Sequence, residues 1–214
     1  MANLNDIIQW CEQTLAAREF KDYAPNGLQI EGKSEVNKIL CAVSASQSAI
    51  EAAIEQGADL LLVHHGYFWK GEAYPITGMR GKRIKALIQN DISLVGYHLP
   101  LDSHPTLGNN AAIADLLELE NIEQLDPSER HPIGNIGYLK QPMSPEYFKN
   151  HVSEKLGFDA IHLPADKTQI HKVGFCTGGA QDYIHKAALQ ECDAYISGEV
   201  SERTFYEAQE LNVH

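Results

Sequence analysis

At 214 residues the chain is long enough for one large or two small domains with a hydrophobic core. Its 17 basic and 29 acidic side chains give a formal net charge of −12, which argues against a dedicated surface for nucleic acid or anionic membranes. No apolar run approaches membrane-spanning length, the N-terminus shows no signal pattern, and the four cysteines form no Cys-x-x-Cys pair. These features predict a cytoplasmic globular protein with reduced thiols, without a zinc ribbon or a disulfide framework.

The first half of the chain alternates predicted helices and strands. Helices are predicted at 4–17, 46–56, 80–89 and 110–117, and strands at 38–43, 59–63 and 92–97. The connections between strands 38–43, 59–63 and 92–97 are short, which favours a parallel sheet with right-handed crossovers. The fold class predicted for this half is therefore α/β.

A polar and charged segment at 121–132 predicts a boundary between two domains, 1–127 and 128–214. Beyond it, a strand is predicted at 136–139, a helix at 145–156 and a short strand at 160–163. The second domain is thus predicted to be α/β as well.

The second half contains an internal repeat. Residues 172–199 align without gaps on residues 38–65, at an offset of 134 positions, the difference between 172 and 38. Identical pairs include Lys38/Lys172, Gln47/Gln181, Ile50/Ile184, Ala53/Ala187, Gln56/Gln190 and Asp59/Asp193. This pattern indicates duplication of a βαβ unit, with chance similarity between two α/β units as the alternative. The repeat places His64-His65 and Gly198-Glu199 at the ends of equivalent strands.

Two adjacent histidines, His64 and His65, end an uninterrupted aliphatic run that begins after Asp59 and stops at Gly66. Such a run predicts a strand buried on both faces, and open α/β sheets bind ligands at the carboxyl ends of their strands. Adjacent side chains on a regular strand point to opposite faces, so both rings could hardly chelate one ion there. At a turning strand end, each ring could serve one of two metal ions about 3.5–4 Å apart. A metal-free histidine pair is the structural alternative.

The loop after the strand 92–97 adds His98, Asp102 and His104. If the two strands are parallel neighbours, His64, His65 and Asp102 converge at one edge of the sheet. Imidazole and carboxylate ligands suit zinc, iron, manganese, cobalt or nickel. The loop position predicts that Asp102 is not buried in a core, and its structural alternative is a turn or helix-capping residue.

Three further side chains are candidates for moving protons or orienting ligands. His98 and His104 are candidate acid/base or ligand-orienting groups, although a structural role is open for each. Glu199 is a candidate because it occupies the place that matches a histidine of the first repeat, and its alternative is a helix-start carboxylate. The turn 177–180, Thr-Gly-Gly-Ala, could bind a phosphate, although tight βα turns use glycine anyway.

Several segments occur together in the same order as in one protein family. They are Tyr23-Ala-Pro-Asn-Gly-Leu-Gln-Ile-Glu-Gly32, His64-His65-Gly66, His98-Leu-Pro-Leu-Asp102, Gly108-Asn-Asn110 and Ser197-Gly-Glu-Val-Ser201. The sequence resembles the NIF-three-like proteins, also called GTP cyclohydrolase 1 type 2 homologues, and is most similar to their bacterial branch. The similarity runs across essentially the whole chain.

This resemblance implies two intertwined α/β domains related by duplication, assembled into a hexameric ring. It also implies two divalent metal ions per subunit, with His64 and His65 on one ion each and Asp102 on one of them. The family has two more ligands, a histidine and a bridging glutamate, in a Gly-His-His-Ala-Thr-Glu-like segment that lies beyond the position of His214. His214 itself is not assigned that role.

The leading hypothesis is a metal-dependent hydrolase of a small molecule, with a purine nucleotide such as GTP as the substrate that the resemblance implies. His98, Glu199 or His104 would move protons. The alternative is a non-catalytic metal-binding ring that acts as a scaffold or regulatory binding protein. A phosphoesterase that uses the same ions is a third hypothesis, which differs in the bond that is cut.

Overall fold

The computed structural model describes residues 1–214. These residues form two α/β units, Met1–Leu101 and Asp102–His214. The predicted mixed α/β class is confirmed for both. The sequence pattern placed the boundary at 127/128, whereas the structure assigns 102–127 to the second unit. The reason lies in packing: Leu117 and Leu119 belong to the same buried cluster as Val173.

The secondary structure of the first unit is dominated by one sheet and three longer helices. Its elements are β1 Ala2–Asn3, α1 Leu4–Thr14, a 3-10 turn Ala17–Glu19, β2 Gly27–Ile30, β3 Glu35–Val36, β4 Ile39–Ser44, α2 Gln47–Glu55, β5 Leu60–His65, α3 Gly78–Gln89, β6 Ser93–Gly96 and the start of α4 Leu99–Ser103. The main sheet has the order β2-β6-β5-β4, in which β4, β5 and β6 are parallel and β2 is antiparallel to β6. The two histidine-bearing strand ends, those of β5 and β6, are therefore neighbours, as the sequence predicted.

The central strand β5 is buried on both faces. Leu60 packs with α1 residues such as Leu4, while Leu61 packs with Ile50 of α2 and Leu87 of α3. A strand with helices on both faces carries apolar side chains at successive positions, which explains the uninterrupted aliphatic run.

The second unit has its own sheet, of order β10-β9-β8-β7, with helices packed around it. Its elements are α5 Asn109–Leu116, β7 Glu120–Gln124, β8 Asn135–Met143, α6 Pro145–Leu156, β9 Ile170–Cys176, a 3-10 turn Gln181–Tyr183, α7 Ile184–Leu189, β10 Ala194–Ser197 and α8 Glu202–Leu211. Strands β9 and β10 are parallel, and β8 is antiparallel to both β7 and β9.

Serine side chains cap the starts of three helices, α2, α6 and α8. Ser46 accepts a hydrogen bond from the backbone N–H of Ala49 at the start of α2, and Ser144 accepts one from Tyr147 at the start of α6. Ser201 forms a capping box at the start of α8. The predicted helices at 46–56 and 145–156 therefore match α2 and α6 to within one residue at each end.

Two predictions about strands are wrong. The segment 160–163 forms no strand, because Ala160 and Leu163 pack as isolated apolar side chains against the core without a hydrogen-bonded partner strand. Conversely, β7 Glu120–Gln124 overlaps the segment 121–132, where no strand was predicted. All five of its side chains are exposed, so it carries no apolar alternation and is held by its backbone pairing with β8.

The internal repeat has a structural counterpart in strand register. In the first unit Ile39 of β4 is paired with Leu60 of β5, and in the second unit Val173 of β9 is paired with Ala194 of β10. Both pairs are related by the offset of 134. The parallel β-α-β arrangement is thus the same at equivalent positions, which supports duplication.

A pair of aspartates shows the same equivalence in side-chain contacts. Each carboxylate accepts two backbone N–H groups and lies beside a lysine ammonium. Asp59 accepts the N–H groups of Asn37 and Lys38 and lies beside Lys33. Asp193 accepts the N–H groups of His171 and Lys172 and lies beside Lys167. The lysine nitrogen is 3.3 Å from Asp59 and 3.1 Å from Asp193. Each aspartate therefore ties the start of one parallel strand to the segment before its neighbour.

Replacing Asp59 with asparagine is expected to lower the free energy of unfolding by about 2 kcal/mol near neutral pH, because hydrogen bonds to a charged, nearly buried acceptor are weakened. The bonds from Asn37, Lys33 and Lys38 outweigh burial and lower the pKa of Asp59 below its ordinary value. A lowered folded-state pKa stabilises the protein above the unfolded-state pKa of about 3.9, and this stabilisation is lost as the pH falls further. Denaturant unfolding at several pH values should show the variant and the wild type converging in acid, with the exposed Asp115→Asn as the matched control. A difference that persists unchanged in acid would contradict this account.

None of the helices combines the length and apolar character that crossing a lipid bilayer requires.

Candidate metal centre

Three histidines meet at the carboxyl ends of β5 and β6. His64 and His65 end β5, and His98 follows β6. One donor atom from each lies within 4.8 Å of the donor atoms of the other two. The ring centroids of His64 and His65 are only 4.4 Å apart, although the two residues belong to one strand. Strand alternation does not keep these rings apart, as expected for the end of a strand rather than its middle.

Protein oxygens bind the Nδ1 atoms of both β5 histidines. His64 Nδ1 lies 2.9 Å from the backbone oxygen of Tyr97, which can only accept, so Nδ1 carries the proton. His65 Nδ1 lies 3.2 Å from the hydroxyl of Ser44. In His64 the unprotonated nitrogen is therefore Nε2, and metal-binding histidines commonly have an oriented Nδ1 of this kind.

His98 is held by a buried carboxylate, that of Asp22. The distance from His98 Nδ1 to Asp22 Oδ1 is 2.7 Å, and the Asp22 side chain is 3% exposed. Burial alone would raise the pKa of Asp22, but hydrogen bonds from His98, Asn26 and the Leu99 N–H lower it to about 2. A charged carboxylate thus faces the imidazole. Sequence reasoning missed Asp22, since no local pattern connects residue 22 with residue 98.

The glycine after the histidine pair permits a close contact. A Cβ atom at Gly66 would collide with the side-chain amide of Gln29 on β2. That amide accepts a hydrogen bond from the Tyr67 N–H at 2.7 Å and donates one to the Pro25 oxygen at 2.8 Å. Gly66 therefore lets β2 brace the turn that follows His65.

An indole ring lies beside the histidine cluster. The ring centroid of Trp69 is 4.8 Å from that of His98 and 5.8 Å from that of His65. Its Nε1–H donates to the Gly66 oxygen at 3.2 Å. Trp69 supplies an apolar wall on one side of the imidazoles.

Asp102 lies in α4, within the second unit, and only 5% of it is exposed. The expectation that it lies in a loop outside a core is therefore wrong. Its Oδ1 accepts hydrogen bonds from Asn109 Nδ2 at 2.8 Å and from Thr177 Oγ1 at 3.2 Å. The Asn110 amide donates to the backbone oxygen of Asp102 at 3.1 Å. These contacts bury the carboxylate between α4, the start of α5 and the end of β9, and its role as a metal ligand stays a prediction.

The other two candidate acid/base residues have contacts of different kinds. His104 Nδ1 accepts the backbone N–H groups of Leu107 at 3.0 Å and Thr106 at 3.3 Å, which is the geometry of a turn-capping residue. Glu199 is exposed and contributes to a cavity of about 640 Å³ that also reaches Thr177 and Ser197, at the ends of β9 and β10. The duplication thus places Glu199 at a strand end, and the catalytic roles of both residues stay predictions.

The donor chemistry of the histidine cluster fits a divalent transition-metal ion. Neutral imidazole nitrogens bind zinc, iron, manganese, cobalt and nickel. The cluster combines three such rings, with the Nδ1 atoms of His64 and His98 fixed by oxygen acceptors. His98, considered from the sequence as an acid/base or ligand-orienting group, adds a third imidazole beside His64 and His65, and its role stays a prediction.

Fold and site together define a mixed α/β protein with a potential metal centre at the ends of two parallel strands. The chain belongs to the Duf34/NIF3 (NGG1p interacting factor 3) family, whose sequence profile matches residues 2–214. The resemblance seen in the sequence motifs is thereby confirmed.

Curated relatives and solved structures agree with this assignment. A protein of Haemophilus influenzae named GTP cyclohydrolase 1 type 2 homolog is 50% identical over 216 residues, covering 100% of this chain and 85% of the relative. A Pseudomonas aeruginosa protein of the same name is 45% identical over 210 residues, covering 98% of this chain and 83% of the relative. A solved structure described as protein ybgI, of unknown function, is 40% identical with a TM-score of 0.94, covering 99% of this chain and 84% of the other. Reduced HcgD from Methanocaldococcus jannaschii is 27% identical with a TM-score of 0.80, covering 99% of this chain and 85% of the other.

Proposed function

We propose that this protein is a metal-dependent hydrolase that uses two divalent ions and acts on a purine nucleotide. The observation that carries the proposal is the convergence of three imidazole donors within 4.8 Å at the ends of β5 and β6. The nucleotide is suggested by the name of the curated relatives, GTP cyclohydrolase 1 type 2 homolog.

In this proposal His64 and His65 hold the ions, and Asp102 is assigned to one of them by the family resemblance. Divalent ions bound there would supply Lewis-acid polarisation and lower the pKa of water toward neutrality. His98 Nε2 accepts the proton released during hydrolysis and returns it to the leaving group, while the charged Asp22 stabilises the imidazolium. Trp69 limits the access of water to one side of His98. Glu199 and His104 are the alternative proton-transfer groups.

The test is incubation of metal-loaded protein with GTP, followed by measurement of both formate and inorganic phosphate. Release of formate supports opening of the purine ring, and release of phosphate alone supports the phosphoesterase reaction with the same ions. Elemental analysis of the same preparation should find about two ions per subunit. Bound metal without release of either product would contradict the hydrolase proposal.

Asp102→Ala is expected to remove one of the two ions, because a carboxylate ligand is lost while His64 and His65 remain. Metal content per subunit, measured by elemental analysis, checks this. Asp115→Ala, at an exposed position of α5, is the matched control. Unchanged metal content in Asp102→Ala would exclude it as a ligand.

A second candidate is a non-catalytic metal-binding protein that assembles as a hexameric ring and binds a partner. The family description favours it, since it names an interacting factor rather than a reaction. This candidate predicts bound metal without turnover, and partner binding that survives Asp102→Ala.

A further inference from the structure

A four-donor clamp surrounds the Asp22 carboxylate. Oδ1 receives the Tyr23 N–H at 2.6 Å and His98 Nδ1 at 2.7 Å. Oδ2 receives Asn26 Nδ2 at 2.9 Å and the Leu99 N–H at 2.9 Å. The Asn26 side chain also accepts the His98 backbone N–H at 2.8 Å. Both the backbone and the ring of His98 are thus tied to residues 22 and 26.

This clamp leaves one tautomer of neutral His98. Asp22 is charged and only accepts, so a bare Nδ1 would bring two lone pairs together at 2.7 Å. Nδ1 therefore carries the proton, and the Nε2 lone pair is left for the histidine cluster. His64 has the same tautomer, set by the Tyr97 oxygen.

We propose that Asp22 is a positioning residue that fixes the tautomer and orientation of His98, so that an unprotonated Nε2 faces His64 and His65. The carboxylate acts through His98 and does not touch the substrate. Its effect on rate rests on the proposed hydrolase function, whereas its effect on the tautomer does not.

Asparagine at position 22 should reverse the tautomer. The amide has one acceptor atom and one NH2 group, so one side of the clamp must face the NH2. Each side of the clamp contains one backbone N–H that cannot become an acceptor, that of Tyr23 at Oδ1 and that of Leu99 at Oδ2, so these two groups do not decide the orientation. The remaining donors do decide it, because Asn26 would lose its bond to the His98 backbone if its amide flipped. His98 can adapt by accepting at Nδ1, which moves its proton to Nε2. The same replacement in a Ser-His-Asp triad inactivates by this kind of tautomer change.

The experiment is long-range ¹H–¹⁵N NMR of the histidine rings in metal-free protein, in alkaline buffer where imidazoles are neutral. The His98 signals are assigned by their absence in His98→Gln. The wild type should show a proton on Nδ1 of His98, and Asp22→Asn should show it on Nε2. Asp59→Asn is the matched control, because it removes another nearly buried carboxylate of the same unit whose partners are backbone N–H groups and a lysine. It should leave the His98 signals unchanged.

The outcomes separate the inference from the proposed function. A wild-type His98 protonated at Nε2, or an Asp22→Asn spectrum that keeps the proton on Nδ1, overturns the inference. If Asp22→Asn does not fold, the position of the proton on His98 in the wild-type spectrum decides the inference by itself. If Asp22→Asn reverses the tautomer of His98 and also lowers the rate of hydrolysis by about 10- to 100-fold, the result supports both the positioning role of Asp22 and the hydrolase function. Reversal in a protein whose wild type hydrolyses no nucleotide supports the positioning role and contradicts the hydrolase.

Discussion

His64→Ala is expected to weaken the binding of Zn²⁺ by more than about 100-fold, because loss of a ligand should cost more than the 10–100-fold typical of losing an outer partner. The orientation of the His64 ring is fixed at the end of β5, since its Nδ1 donates to a backbone oxygen at 2.9 Å. Removing it leaves two imidazoles of the cluster. Isothermal titration of metal-free protein with Zn²⁺ measures the change.

The control for His64→Ala must lose a histidine without losing a donor of the cluster. His104→Ala is suitable, because its Nδ1 accepts two backbone N–H groups in its own turn. His162→Ala is a second control, since the His162 ring hydrogen-bonds to His214 and both residues belong to the second unit, whereas His64 belongs to the first. Equal loss of affinity in all three variants would indicate a general effect on folding, and unchanged affinity in His64→Ala would refute the metal centre.

Gly66→Ala is expected to lower the free energy of unfolding by about 2 kcal/mol, because the Gln29 amide must move away from the new methyl group and thereby loses two hydrogen bonds. The added methyl group would occupy the space of the Gln29 amide, which bridges the Tyr67 N–H and the Pro25 oxygen. Displacing Gln29 also releases the turn after His65, so metal affinity should fall together with stability. Denaturant unfolding and Zn²⁺ titration measure the two effects.

A double-mutant cycle tests whether Gln29 is the cause. Gln29→Ala removes the colliding amide, so Gly66→Ala should cost much less in that background than in the wild type. Equal costs in the two backgrounds would show that the backbone conformation at Gly66, rather than the approach of Gln29, makes glycine necessary.

Elements with a strong local signal were predictable from the sequence. The run before His64 predicted β5 because a strand covered by helices on both faces must be apolar throughout. Helices α2 and α6 were predicted within one residue, since serine caps mark their starts. In contrast, β7 has only exposed side chains and exists because its backbone pairs with β8, a contact that leaves no mark on its own composition.

The residues of the candidate site likewise fall into those that the sequence predicted and those that only the tertiary structure brought together. The amino-acid sequence by itself determined the α/β class, the repeat, and the placement of His64 and His65 at the end of a buried strand, because periodicity and apolar runs reflect local burial. Only the tertiary structure decided that His98 joins these two rings and that Asp22, 76 residues away, holds it. It also decided that the Asp102 carboxylate is buried against Asn109. Such contacts depend on which strands become neighbours and on how side chains pack between them, and neither is encoded in local sequence.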